Sequence, residues 1–435
     1  VSVGFRGSMI GGTGPSGPEI VRPGLSRIVS AFTRSGHPER AFRTLHVAGT
    51  NGKGSTASFA YDLLRHLPLG PIGLYTSPHL LDPEERVRID GERISPRALR
   101  DGFRAAEGLS LAGDPLTWFE KMTWSASDWF RRRGVRIAVM ETGLGGRWDA
   151  TSACRPAVSV ITTVGYDHRE WLGKTLGSIA AEKAGILRRG VPLVTGRLRP
   201  AARAVVLRHA RRLGCGTWEL GRAFDWREGR DGTISVTLPG LDLDRLRVGR
   251  IGGFQRDNAA IALAASWLLA SAEGIGPAAF AAAATRALPG SRWPGRWCRL
   301  PLRKNAGTWV DGGHNPEAAA ALAREISASP PWGDGKRLIA LWSMLSDKDA
   351  TGYLRSLRRH LDGIVTYPLS HPRGAGGEAL VEACTKQGIA FRLAGNFPEG
   401  WRSARRWAGR GGVVLVCGSL AAAGDAYRHR VGFAA

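Results

Sequence analysis

The sequence predicts an α/β fold in two domains, each a mainly parallel sheet flanked by helices. Three observations carry this expectation. An apolar run at residues 45–48 leads into a Gly-Lys turn and then into a helix-forming stretch, a strand–loop–helix unit. Further short apolar runs, each followed by polar or glycine-rich residues, alternate with helical stretches, as βα units do. At Pro289-Gly290-Ser291-Arg292-Trp293-Pro294-Gly295 the alternation breaks, and it then begins again. We therefore expect domains at 1–289 and 290–435, with the Gly/Pro/Ser-rich residues 1–20 flexible.

In chain order, helical patterning covers 25–34. The strand at 45–48 and its loop precede a helix running to about residue 67. The next strands are expected at 72–75, 137–140, 158–162 and 192–195. Residues 234–238 alternate between Arg230-Asp231-Gly232 and Pro239-Gly240, which reads as a small antiparallel insertion. Helices follow at 258–272 and 277–287. Beyond the break, strands at 308–310, 338–342, 364–367 and 413–416 define a smaller, Rossmann-like α/β domain.

Composition narrows the function classes. The 435 residues are 43% hydrophobic and 23% charged, so a packed core is expected. Cys154, Cys215, Cys298, Cys384 and Cys417 form no C-x-x-C pair, which argues against structural zinc or a disulfide framework and suits the reducing cytoplasm. The longest apolar run, 259–272, is too short and alanine-rich to span a bilayer, and no leader pattern opens the chain. Net charge is +24, a field that attracts polyanions. The basic residues are dispersed in small groups such as Arg131-Arg132-Arg133, without a basic tail or a nucleic-acid-binding signature, so no specific nucleic-acid partner is expected.

The loop Gly49-Thr50-Asn51-Gly52-Lys53-Gly54-Ser55-Thr56 is the most informative segment. Between a strand and a helix N-terminus, Gly52, Lys53, Gly54 and Ser55 make a phosphate cradle of backbone N–H groups, helix dipole and one point charge. This points to a nucleoside triphosphate and to a P-loop ATPase-like first domain. The pattern departs twice from G-x-x-x-x-G-K-[ST]: Val47 stands where the first glycine belongs, and Gly54 separates Lys53 from the first hydroxyl. The plain alternatives are an ordinary turn, and Ser55 as a helix N-cap.

Other polar groups follow predicted strands. Ser77 follows the strand at 72–75, Glu141 the one at 137–140, and Asp167-His168 the one at 158–162; Glu182-Lys183 sits near a helix end. If these strands are neighbours, the groups converge above the phosphate loop. Oxygen ligands with one imidazole suit Mg²⁺ or Mn²⁺ beside phosphate oxygens. Each residue has an ordinary alternative: Glu141 paired with Arg147, His168 in a plain loop, Ser77 shaping a turn, Lys183 solvated at a helix end. In the second domain, Asp311-Gly312-Gly313-His314-Asn315-Pro316 again puts polar groups at a strand end, with Arg296 just before; Asp311 suits a ribose and Arg296 a phosphate. Asp347-Lys348-Asp349 reads by itself as a charged helix start.

Taken together, 46–56, Tyr75-Thr76-Ser77-Pro78-His79-Leu80, Phe119-Glu120 with Thr123, the GLGGRWDA stretch at 143–150, Asp167-His168, Leu172-Gly173-Lys174-Thr175, EKAGI at 182–186, 311–316 and 347–349 resemble the folylpolyglutamate synthase/dihydrofolate synthase family of the Mur ligase superfamily, in order and from about residue 23 onward. The resemblance implies an ATP-dependent ligase. ATP would phosphorylate a pterin carboxylate, and L-glutamate would displace the phosphate, with dihydropteroate or a reduced folate as acceptor. It implies Mg²⁺ held by Ser77, Glu141 and His168, and ATP held by Gly52, Lys53, Gly54, Ser55, Asn258, Arg296 and Asp311. It places the pterin at Thr117, Trp118, Trp148, Asp149 and Ala150, glutamate near Lys348 and Ser419, and His314 and Lys183 among the catalytic groups, with Lys183 as an N6-carboxylysine. A monomer is implied. Ser152, Gly313, Ala421 and Trp148 depart from the family pattern and bear on substrate preference more than on reaction class. A cell-wall peptide ligase is the first rival, but only about 40 residues precede the phosphate loop, too few for its nucleotide-sugar domain. A non-enzymatic polyanion-binding protein is the second, and the phosphate and metal constellation argues against it.

Overall fold

The computed structural model describes residues 9–14, 17–20, 22–249, 252–300, 307–328, 330, 332–333 and 335–429. The chain divides into two compact units, Val1–Arg250 with Phe254–Arg292, and Ile251–Gly253 with Trp293–Ala435.

The first unit opens with an antiparallel ribbon, β1 (Met9–Gly14) and β2 (Gly17–Ile20). Composition suggested a flexible start here; the described part is paired strands, and residues 1–8, 15 and 16 lie outside the described residues. Helix α1 (Ser26–Arg34) buries Ile28, Ala31 and Phe32, the 3–4 spacing of an amphipathic helix. Next come β3 (Arg43–Ala48), α2 (Lys53–Leu64), β4 (Ile72–Tyr75), β5 (Val87–Ile89) and β6 (Glu92–Arg93). Helices α3 (Pro96–Gly108) and α4 (Trp118–Arg132) precede β7 (Ile137–Glu141) and β8 (Pro156–Ile161). Then follow α5 (Arg169–Leu172), α6 (Leu176–Ala184), β9 (Leu193–Thr195), α7 (Pro200–Arg212) and β10 (Thr217–Glu219).

These strands form one sheet in the order β10-β9-β8-β3-β7-β4-β5-β6. It is parallel from β10 to β4 and antiparallel at β5 and β6. Strand β3 lies at the centre and is buried at every position after Arg43. Burial on both faces accounts for its largely apolar run, which Thr44 and His46 interrupt as buried polar residues. Helix α2 ends at Leu64, not near residue 67, because its last turn tightens: His66 N–H donates to Leu63 O and Leu67 N–H to Leu64 O, just before Pro68. The unit closes with an antiparallel three-stranded sheet, β11 (Asp225–Glu228), β12 (Ile234–Leu238) and β13 (Leu241–Leu246), and then α8 (Gly253–Ala272) and α9 (Pro277–Gly290). Helix α8 starts five residues before the expected 258, so Asn258 lies inside the helix.

The second unit contains β14 (Cys298–Arg299), β15 (Gly307–Val310), α10 (Pro316–Ala328), β16 (Leu338–Trp342), α11 (Ala350–Leu357), β17 (Gly363–Thr366), α12 (Gly377–Lys386), β18 (Phe391–Leu393), α13 (Phe397–Ala408), β19 (Val413–Cys417) and α14 (Leu420–His429). Its sheet runs β14-β15-β19-β16-β17-β18, parallel except for β14. The last strand, β19, enters between β15 and β16, so the loops after β15, β19 and β16 meet at one edge.

A buried histidine sits in the central strand. His46 lies under the sheet's helices, and burial holds its pKa down at about 3 against an ordinary 6.5, with Arg188 adding to the effect. The folded protein therefore keeps this ring neutral while the unfolded chain protonates it below about pH 6.5. Stability contributed by the neutral ring is present above that pH and is lost as pH falls toward 3. We expect the unfolding free energy from denaturant titrations to fall across this window, by on the order of a few kcal/mol from His46. His46→Gln should flatten the fall. Equal pH slopes in the two proteins would contradict this account.

Candidate active site

The loop between β3 and α2 is closed by its neighbours. Gly49 and Gly52 have φ of 155° and 88°. A Cβ on Gly49 would strike the Thr162 side chain, and one on Gly52 would strike Asn258 of α8. Residues after β8 grip the loop backbone. Thr50 N–H donates to Thr163 O at 2.8 Å, Asn51 N–H donates to Thr163 Oγ1 at 2.9 Å, and Thr162 Oγ1 donates to Asn51 O at 2.7 Å. Thr50 Oγ1 accepts from Gly165 N–H at 3.0 Å. The loop is thus a preformed turn at the N-terminus of α2, with Gly52 at the N-cap and Lys53 opening the helix. Ser55 is buried in the first turn and is not the N-cap residue.

Beneath the loop lies Lys183, near the end of α6 and only 3% exposed. Its Nζ donates to Gly49 O at 2.8 Å. Burial, with the neighbouring Lys53 charge, lowers its pKa to about 7. The solvated helix-end reading of Lys183 is therefore incorrect: the amine is inside the protein. An uncompensated buried ammonium is costly, so the group is held close to neutrality.

The adjacent strands β7 and β4 bring up Glu141 and Ser77. Ser77 N–H donates to Glu141 Oε2 at 3.1 Å, and Glu141 is buried. Arg147, its alternative partner in sequence, reaches Glu182 at 3.5 Å. His168 follows β8, with φ of 48° and 23% side-chain exposure, and its N–H donates to Asp167 Oδ1 at 3.0 Å. The strand order β8-β3-β7-β4 makes the loops carrying His168, Lys53, Glu141 and Ser77 successive neighbours at the carboxyl edge. A hydroxyl, a carboxylate and an imidazole are a donor set that fits a hard divalent cation beside phosphate.

The glycine-rich loop after β7 is held by Asp149. Its Oδ2 accepts from Gly143 and Leu144 N–H at 2.8 and 2.9 Å; its Oδ1 accepts from Thr151 N–H and Oγ1 at 3.1 and 2.5 Å. Burial raises the Asp149 pKa, and these bonds oppose the rise. Because the Thr151 hydroxyl donates to Asp149, it accepts from His46, whose Nε2 lies 2.8 Å away. His46 is therefore the Nε2–H tautomer. This relay from β3 to the glycine loop has no signature in the sequence, and neither do the Thr162 and Thr163 contacts; both depend on residues more than 100 positions apart.

The other expected pterin residues differ among themselves. Thr117 caps α4 in a reciprocal box with Glu120, at 3.2 and 2.7 Å. Trp118 is buried, with the Arg86 guanidinium 4.5 Å from its ring centroid. Ala150 packs in the core with Ile28 and Phe32, whereas Trp148 is 52% exposed.

In the second unit, Asp311 follows β15 and is buried. It accepts from Trp297 N–H at 3.0 Å and Gly313 N–H at 2.8 Å. Burial raises its pKa, and Arg296 opposes this. His314 is half-buried, and the next residue, Asn315, caps α10 through Ala318 N–H at 2.9 Å. Ser419 follows β19; its hydroxyl donates to Ser343 O at 3.1 Å and accepts from Ala422 N–H at 3.0 Å. Lys348 follows β16, 3.6 Å from Asp347, while Asp349 caps α11. The residues on either side of Arg296 and those after β15, β16 and β19 share this sheet's carboxyl edge.

Residues 295–420 match the family described as Mur ligase, glutamate ligase domain. The dihydrofolate synthase/folylpolyglutamate synthase of Escherichia coli is 34% identical over 402 residues, covering 91% of this chain and 89% of that protein. The Bacillus subtilis protein of the same name is 34% identical, covering 83% and 85%. The chain spans about half, 47%, of a probable bifunctional folylpolyglutamate synthase/dihydropteroate synthase from Haloferax volcanii, at 32% identity. Among solved structures, a Mycobacterium tuberculosis folylpolyglutamate synthase complexed with ADP and AMPPCP superposes with TM-score 0.85 at 30% identity, covering 94% of this chain and 96% of that one. A bifunctional folylpolyglutamate synthase/dihydrofolate synthase with Mn, AMPPNP and L-glutamate bound gives 0.82 at 30%, covering 94% of each. No helix among the described residues is long and apolar enough to cross a membrane. The glycine loop after β3, the carboxylate and imidazole at the ends of the strands that flank β3, and this likeness over nearly the whole chain agree, and the chain belongs to the dihydrofolate synthase/folylpolyglutamate synthase family of ATP-dependent Mur-type ligases.

Proposed function

We propose that this chain joins L-glutamate to the carboxylate of dihydropteroate, of a reduced folate, or of both, using ATP and Mg²⁺. The observation that carries the reading is the rigid phosphate loop at the carboxyl edge, with Glu141, Ser77 and His168 on the neighbouring strands. A free carboxylate resists amines at neutral pH. Its oxygen therefore attacks the γ-phosphorus of ATP, the bond to the β-phosphate oxygen breaks, and ADP leaves. The glutamate amine then attacks the acyl carbon of the acyl phosphate, phosphate departs, and the amine loses a proton.

The protein's part is to position charge. Gly52, Gly54 and Ser55 offer N–H groups to the phosphates, and Lys53 adds a cation. Asn258, packed on Gly52, fixes the loop from the α8 side. Ser77, Glu141 and His168 would hold Mg²⁺, which supplies neutralisation of phosphate charge when bound. Arg296 and Asp311 are assigned to the nucleotide, His314 to the catalytic groups, and Lys348 and Ser419 to glutamate. Trp118 and the exposed Trp148 are assigned to the pterin ring. Asp149, Thr117 and Ala150 serve that site by shaping its walls, since their polar groups or side chains are engaged within the protein. The free cysteines suit a reducing cytoplasm, and the family resemblance supports a monomer.

Lys183 is assigned as an N6-carboxylysine. A buried amine with a pKa near 7 is largely nucleophilic at physiological pH; it attacks CO₂, a C–N bond forms and a proton is released. The product is an anion near the proposed metal ligands in place of a largely neutral amine.

Four outcomes test this reading. ADP formation from Mg²⁺, ATP and L-glutamate should be stimulated by dihydropteroate, tetrahydrofolate or both; no stimulation by either, from folded protein that binds ATP, would refute it. Lys53→Ala should lower kcat/KM by about 100-fold or more, and near-normal turnover would refute the nucleotide assignment. Because only the deprotonated amine attacks CO₂, Lys183 carboxylation should rise from about pH 6 to about pH 8 in bicarbonate. A native-mass spectrum lacking the added CO₂ throughout that range would remove the carboxylysine. Lys183→Ala should be impaired, with partial rescue by a short carboxylic acid.

A further inference from the structure

The opposite edge of the first unit's sheet carries an unassigned cavity. It lies where β3 and β7 begin, is lined by Arg40, Phe42, Arg43, Leu69, Arg136 and Glu273 among others, and has a volume of about 270 Å³. Strand β3 separates it from the phosphate loop, roughly 20 Å away at 3.3 Å per residue. The cavity is therefore not an extension of the site above.

Its guanidinium groups are positioned by the fold. Arg43 and Arg136 are fixed at their backbones, since Arg43 N–H donates to Arg136 O at 2.9 Å and Arg136 N–H to Pro71 O at 3.0 Å. The Arg136 stem lies over Gly70, whose missing Cβ makes the room. Glu273 pairs with Arg43, and Glu39 holds Arg40 at 3.4 Å. Among the described residues no carboxylate pairs with Arg136. The three arginines come from separate approaches: the turn before β3, the first residue of β3, and the residue before β7. Each fork carries five N–H donors, of which a single carboxylate engages only some.

We propose that this cavity binds a compact phosphate anion, inorganic or as a small ester. Three arginines line this cavity beside a single carboxylate, Glu273, and guanidinium forks match the oxygens of a phosphate. Phe42 and Leu69 give an apolar floor, and a cavity of about 270 Å³ suits a compact anion. The site uses part of the +24 net charge that the ligase reading leaves without a role.

Inorganic pyrophosphate is the probe, titrated calorimetrically into the full chain whose phosphate loop is filled with excess ADP and Mg²⁺. We expect saturable binding of one equivalent, weakened at least tenfold in Arg136→Ala and less in Arg136→Lys, which keeps the charge but loses the fork. Turnover without pyrophosphate should be unchanged in both variants, which also shows that they fold. No saturable binding to the ADP-loaded protein, or equal binding in wild type and Arg136→Ala, would overturn the proposal. Binding abolished by Lys53→Ala and unaffected by Arg136→Ala would assign the pyrophosphate to the phosphate loop and overturn it equally.

Discussion

The absence of space at Gly49 and Gly52 is the constraint on which the first unit's chemistry depends. Thr162 fills the position of one missing Cβ and Asn258 the other. With both glycines in place, the loop can turn within four residues and present the first turn of α2 outward. The same close approach puts Gly49 O within reach of Lys183 and Asn51 within reach of Thr162 and Thr163. The loop's backbone is held by contacts on both sides, the preorganisation that the proposed phosphate binding calls for.

The second organising element is the relay from His46 through Thr151 to Asp149. It ties the centre of the sheet to the glycine loop after β7, with His46 neutral. Burial supplies that neutrality. Lys183, a few ångströms from Gly49 O, shows the same physics with the opposite consequence: a desolvated amine is a nucleophile at neutral pH. Of these two buried bases, one is structural and the other is the proposed site of carboxylation.

Much of this was legible in the sequence. Central strands covered on both faces are largely apolar, so β3, β4, β7, β8, β16 and β19 announce themselves as runs. Parallel sheets gather ligands at carboxyl ends, so Ser77, Glu141, His168 and Asp311 stood out by position. Other features were not legible. The clamp by Thr162 and Thr163, the capture of Arg147 by Glu182, and the burial of Lys183 are products of tertiary packing between distant segments. The ribbon of β1 and β2 is rich in glycine, whose composition signals turns and hides strands. The early start of α8 at Gly253 was not legible, because glycine is a poor helix former.

The central claim is that this architecture activates a carboxylate through an acyl phosphate. The most direct measurement is the fate of oxygen from a pterin substrate labelled with ¹⁸O in the reacting carboxylate. Transfer of one labelled oxygen into the released phosphate per turnover is the predicted result. Unlabelled phosphate, with the label kept in the amide product or in water, would contradict it.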